Sequence, residues 1–88
     1  MRVISQTETL DVPYENFVFS ILNSSGGNYR IVAVKNIAEP PEVFMNSLIA
    51  IYFTKEKAIK AMEMLRNEFA DYGESGIFRF PQDDEIEV

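Results

Sequence analysis

The chain contains no cysteine and no histidine. The first absence excludes disulfides and thiolate chemistry and leaves nothing to mark an oxidising compartment. The second removes the commonest general base, the usual metal ligand and the usual pH switch together. Basic residues are scarce as well: 8 Lys and Arg stand against 14 Asp and Glu, for a net charge of −6. A basic footprint is missing, so direct DNA or RNA binding is not expected. Long apolar runs are also lacking. The opening MRVISQTETLDV has no signal-peptide core and no stretch is long enough to span a membrane, which makes a cytoplasmic protein the default.

What is present suits one small domain. A length of 88 residues with 47% hydrophobic content is enough for a single core and too apolar for disorder. The charge is unevenly placed: four of the 14 acids (Asp83, Asp84, Glu85 and Glu87) fall in the last six residues. The expected organisation is a single α+β domain over residues 1–81 and a solvated acidic tail over 82–88.

One helix is plain. Between Thr54 and Tyr72 the chain reads TKEKAIKAMEMLRNEFADY. Thr54 is a favoured N-cap, Glu56 suits the positive end of the helix dipole, and Gly73 can take the backbone turn that ends a helix. At about 100° per residue, Ala58, Ala61, Met62, Leu65, Phe69 and Tyr72 share one side. Glu56 and Lys60 are spaced for an i,i+4 ion pair. Ile59 and Met64 lie outside the apolar stripe on opposite flanks, which makes them candidate contacts for a second chain.

The remainder reads as strands. Arg2 to Ser5 is short; Leu10 to Tyr14 is extended, with Pro13 unable to donate to a ladder. Glu15 to Leu22 and Tyr29 to Ile37 are rich in aromatic and branched residues and pair most simply as a hairpin across Asn23–Asn28. In that loop SSGG lacks the ending of a phosphate-binding P-loop. Ala38 to Asn46 is a connection stiffened by Pro40 and Pro41, in which Val43, Phe44 and Met45 are apolar enough to seek the core or a partner. Ser47 to Phe53 is apolar without alternation, as in a strand buried on both faces. Ile77 to Phe80 is the last strand, closed by Pro81. The order β-β-β-β-α-β predicts α+β, a mainly antiparallel sheet of four to five strands with one helix on one face.

One helix covers one face. Phe17, Phe19 and Ile21 oppose Val18 and Leu22 along one strand, and Ile49, Ile51 and Phe53 oppose Leu48 and Tyr52 along another. A second apolar face left in water would form a patch that monomers avoid. Either the sheet curls into a partial barrel, or two copies pack face to face; area favours a homodimer.

Catalytic chemistry finds no constellation. Asp83, Asp84 and Glu85 lack the spacing and glycine of a calcium loop, and Ser24 and Ser25 have no assignable base. No cofactor, metal or catalytic residue is expected, and the chain reads as a non-enzyme. Candidate partner contacts are Tyr14 in DVPYE, Phe44, Ile59, Met64 and the acidic Asp83, Asp84 and Glu85.

The segments MRVISQ, DVPYE at Asp11–Glu15, KAIKAMEMLR at Lys57–Arg66 and FRFPQDDEIEV at Phe78–Val88 together resemble small uncharacterised proteins of phages and prophage-like regions in Gram-positive bacteria. The resemblance covers both ends and the helix but not Phe17 to Asn46. It implies a host-cell cytoplasmic setting and an accessory role, and it transfers no functional residue. It also implies Asp-Gly after the opening Ile-Ser-Gln, where this chain has Thr7-Glu8. The leading expectation is a homo-oligomeric protein-interaction or structural module of phage or mobile-element type. The alternative is an acidic inhibitor occupying a basic site on a host or nucleic-acid-binding protein.

Overall fold

A computed structural model describes residues 1–24, 26–35 and 47–87. It contains strands β1 (Arg2–Ile4), β2 (Asp11–Pro13), β3 (Phe17–Asn23), β4 (Tyr29–Lys35), β5 (Ser47–Tyr52) and β6 (Ile77–Arg79), with helix α1 (Lys55–Tyr72) between β5 and β6. The class is α+β, as the element order predicts. The strands form two three-stranded sheets, ordered β2-β1-β6 and β3-β4-β5, in place of one sheet of four to five. Neither sheet closes into a barrel.

The β3-β4-β5 sheet is an antiparallel meander. The β3–β4 hairpin runs in register from Phe17↔Lys35 to Asn23↔Tyr29. Its loop is tied by the Ser24 N–H donating to Asn28 O (2.9 Å) and the Gly27 N–H to Ser24 O (3.1 Å), with Gly27 at φ 88°. A register shift between Ile31 and Val32 puts Ala50 opposite Ile31 but Leu48 opposite Val32. The extra residue, Ile49, is buried together with Ala50 and Tyr52. Strict alternation grouped Ile49 with Ile51 and Phe53; the bulge corrects that grouping, because it sets two residues of one strand against one of its neighbour.

The small sheet joins the two ends of the described chain. Val3 lies between Val12 and Phe78, antiparallel to the first and parallel to the second, and all three are buried. β2 takes an edge, the place where Pro13 costs no ladder bond. Met1, Val3, Phe78, Phe80 and Ile86 then share one core with Ile31, Ala33, Ile49, Ala50 and Tyr52 of the larger sheet and Ala58, Ala61 and Leu65 of α1. Gly76 is buried in that core. A Cβ there would stand 3.0 Å from Tyr72 Cβ and 3.4 Å from Met1 Sδ, too close for any side chain without a shift.

The helix begins and ends on its sequence signals. Thr54 Oγ1 accepts from the Lys57 N–H at 3.2 Å, and Gly73, at φ 59°, donates its N–H to Phe69 O. Ala58, Ala61 and Leu65 are buried, while Met62 and Phe69 pack partly against the core. Tyr72, at the end of the apolar stripe, is exposed, because α1 finishes there. Lys60 pairs with Glu63 at 3.7 Å rather than with Glu56.

The β1–β2 turn carries a strained residue. Ser5 donates nothing to solvent: it is fully buried, and its Oγ accepts the N–H groups of Thr9 (3.2 Å) and Leu10 (3.0 Å). Glu8 closes the turn through its N–H to Ser5 O (2.9 Å) and sits at φ 64°, a region that disfavours residues with a Cβ. Glu8→Gly is expected to raise stability by about 0.5–1 kcal/mol, read as a higher denaturant midpoint at unchanged slope. Its only charged partner among the described residues, Arg79 at 3.7 Å, is exposed and contributes little.

Candidate functional site

The two faces of the β3-β4-β5 sheet differ sharply. Ile31, Ala33, Ala50 and Tyr52 point towards α1 and are buried. Their neighbours along each strand point the other way, in cross-strand rows Val18–Val34, Ser20–Val32–Leu48 and Leu22–Arg30–Ile51. Val18 is 48% exposed, Leu22 45% and Leu48 40%. Scattered exposed aliphatic residues are ordinary, but here they line one continuous face. Val32, in the middle of that face, is buried, and the main contacts of β4 and β5 outside the sheet are with α1.

A second apolar surface lies on the helix side. β3 overhangs α1, and between them runs an open groove of about 480 Å³. Tyr14, Phe17 and Phe19 form one wall; Met62, Leu65 and Phe69 form the other, with Glu15 and Arg66 among the lining. The Tyr14 ring fixes the wall's shape, stacked on Phe19 at 5.8 Å and tilted against Phe69 at 4.7 Å. The Glu15 carboxylate accepts from the Met1 amino group at 2.6 Å, and that hydrogen bond holds its pKa below the usual carboxylate value. Arg66 forms no ion pair among the described residues. A smaller recess of about 280 Å³ lies at the other end of the strand pair, beside Asn23, Tyr29 and Lys55.

The edges of the larger sheet are also unlike. On the β5 edge, Gln6 imitates a neighbouring strand. Its backbone N–H donates to Ile49 O (2.8 Å), its Oε1 accepts the Ile51 N–H (2.9 Å), and its Nε2 donates to Ile51 O (3.2 Å) and Pro81 O (3.1 Å). An amide side chain carries the same donor and acceptor as a peptide group, so it can satisfy an edge without extending the sheet. The β3 edge has no such cover among the described residues.

The acidic segment is not a solvated tail. Asp83–Glu85 forms a short 3₁₀ helix in which Gln82 and Glu85 cap each other, and Ile86 is buried in the core. Asp83 Oδ1 accepts the Phe53 N–H at 2.9 Å, and Lys57 Nζ donates to Asp83 Oδ2 at 2.9 Å. These two bonds lower the Asp83 pKa. Beside them the Tyr52 hydroxyl donates to Pro81 O at 2.6 Å. Burial, reinforced by the nearby Asp83 and Glu85 charges, pushes the Tyr52 pKa well above its ordinary value, so it remains a neutral donor. Pro81, a helix breaker with acids behind it, suggests a tail in sequence; the apolar Ile86 was the signal against one.

The sequence-derived contacts thus fall in different places. Tyr14 is half-buried and shapes the groove. Ile59, 43% exposed, and Met64, 36% exposed, sit on the outside of α1. Asp83 is engaged at the helix start, and Glu85 is exposed but accepts the Gln82 N–H at 2.7 Å. Asp84 is exposed. Phe44, with Val43 and Met45, lies outside the described residues. Sequence reasoning missed Gln6, Arg66 and the groove, because each depends on residues distant in the chain. Among the described residues no group of three or more Asp or Glu is placed to hold a metal ion, and every buried side-chain polar atom has a hydrogen-bond partner. No described helix is long and apolar enough to cross a membrane. Comparisons with protein-family models, with curated proteins and with solved structures match nothing.

Proposed function

We propose that this protein is a non-enzymatic interaction module, a structural accessory of phage or mobile-element type, that works as a homodimer in the cytoplasm of its host cell. The observation that supports this is the outer face of β3, β4 and β5, where Val18, Leu22 and Leu48 are exposed around the half-buried Val34 and the buried Val32. Two such faces meeting about a two-fold axis would bury the same patch on both copies, as closed dimers do. The accessory role and the origin rest on the resemblance at both ends of the chain and in the helix. The acidic-inhibitor reading has less support, since Asp83 is matched by Lys57 and Glu85 is engaged at Gln82.

Size-exclusion chromatography with light scattering tests the association. The expected mass is twice that of the 10.1 kDa chain, and Leu48→Lys is expected to raise the dissociation constant at least about tenfold, because a charge would then need desolvating at the interface. A clean monomer at high micromolar concentration would sink the proposal.

A further inference from the structure

We infer that the groove between β3 and α1 is a peptide-binding site, which takes an extended apolar segment of another protein as a strand added to the β3 edge, with a carboxylate of that segment on Arg66. The inference names a partner on the helix side of the sheet, and of the residues that carry the outer-face association it shares only Val18.

Three observations on the same surface carry it. The first is the edge. β3 pairs with β4 on one side only among the described residues, over seven residues, whereas the opposite edge of the same sheet is closed by Gln6. An uncovered strand edge offers a row of N–H and C=O groups that another extended chain can pair along its length. The second is the groove itself, about 480 Å³, which lies beside that edge. A strand paired to β3 projects every second side chain to the helix side of the sheet, where Phe19, Met62 and Phe69 form an apolar floor. Specificity for alternate apolar residues follows from that spacing. The third is charge. Within a protein of net charge −6, the groove presents at Arg66 a guanidinium with no ion pair among the described residues, while its one carboxylate, Glu15, is already held by the Met1 amino group. An exposed guanidinium beside an apolar channel fits a carboxylate, from an acidic side chain or a chain terminus.

The probe is a fluorescein-labelled synthetic peptide of alternating threonine and isoleucine that ends in a free carboxylate, titrated against the whole protein by fluorescence anisotropy. Saturable binding is expected. Amidating the peptide's terminus or making Arg66→Glu, at an exposed position, is expected to weaken it at least about tenfold. Methylating the peptide's amide nitrogens along one edge should abolish binding, and along the other edge should leave it intact, because an added strand uses one edge alone. Binding should persist in Leu48→Lys, so that failure here and failure of the proposed dimer are read separately. Absence of saturable binding overturns the inference. So does binding indifferent to both methylation patterns, which would make the groove a receptor for small apolar groups. If added peptide halves the mass seen by light scattering, the edge belongs to a second copy and the inference also falls.

Discussion

Gln6→Ala is expected to destabilise the domain by about 3 kcal/mol and to make it aggregate on storage. Three side-chain hydrogen bonds are lost at once: to the Ile51 N–H, the Ile51 carbonyl and the Pro81 carbonyl. Each such bond contributes roughly 0.5–1.5 kcal/mol net, and a donor left without a partner in a half-buried place adds its own desolvation cost. Pro81 O keeps the Tyr52 hydroxyl, so the largest loss falls on Ile51, whose N–H and C=O would open together. Those two groups lie on the β5 edge, and opening them gives the larger sheet a second unguarded edge. Denaturant titration should show a lower midpoint at unchanged slope, with turbidity rising over time. Gln6→Glu is the informative comparison, because it keeps the acceptor for Ile51 N–H but lacks both donors; an intermediate loss is expected. A variant as stable as the parent would show that water replaces the amide at no cost, and that the two sheets are joined by the shared core alone.

The second large effect concerns the C-terminal segment. Removing residues 82–88 is expected to cost about 3 kcal/mol, most of it from Ile86, whose burial alone is worth roughly 1.5–3 kcal/mol. The loss also strips Asp83 from the Phe53 N–H and from Lys57 and uncovers the region around Tyr52. Acidification should reproduce part of this. Asp83 has a lowered pKa in the folded chain, first because it accepts the Phe53 N–H and then because Lys57 bonds to it. Its contribution is therefore fully present above its unfolded value, 3.8, and disappears as pH falls through the lower folded value. Denaturant midpoints measured from neutral pH down through that window should fall more steeply for the parent than for Asp83→Asn, which cannot lose what it already lacks. The exposed part of this effect is small, since the Lys57–Asp83 pair is only partly shielded from water. If the truncated chain keeps its midpoint, Ile86 is not part of the core in solution. Truncation therefore removes core contacts of Ile86 together with the acidic charge.

Both effects lie where sequence was not readable, while the local elements were. The helix was legible from Thr54 to Gly73 because capping and the 3.6-residue stripe are local: Thr54 caps, Gly73 turns, and Ala58, Ala61 and Leu65 are buried. The β3–β4 hairpin was legible for the same reason, with branched and aromatic runs on either side of a glycine loop. The α+β class followed from the order of the elements. The excess of apolar strand faces over helical cover was also visible in the residues, and in the structure it becomes the exposed Val18, Leu22 and Leu48. Absence of histidine and cysteine narrowed the chemistry before any fold was known.

Everything that joins distant parts of the chain was decided by tertiary structure. The parallel pairing of Ile77–Arg79 with Arg2–Ile4, and hence two sheets in place of one, has no local signature, because strands that short pair wherever packing brings them. The bulge that turns Ile49 inward breaks the two-residue period on which face assignment depends. Asp83–Glu85 reads as a charged tail until Lys57 and the Phe53 N–H are placed beside it. Likewise Gln6 is an ordinary polar turn residue until Ile51 lies opposite. Periodicity and capping are properties of a few neighbouring residues, so composition and order determine them. Pairing partners, hydrogen bonds between side chain and remote backbone, and the groove beside β3 depend on which surfaces meet, and only the folded chain decides that.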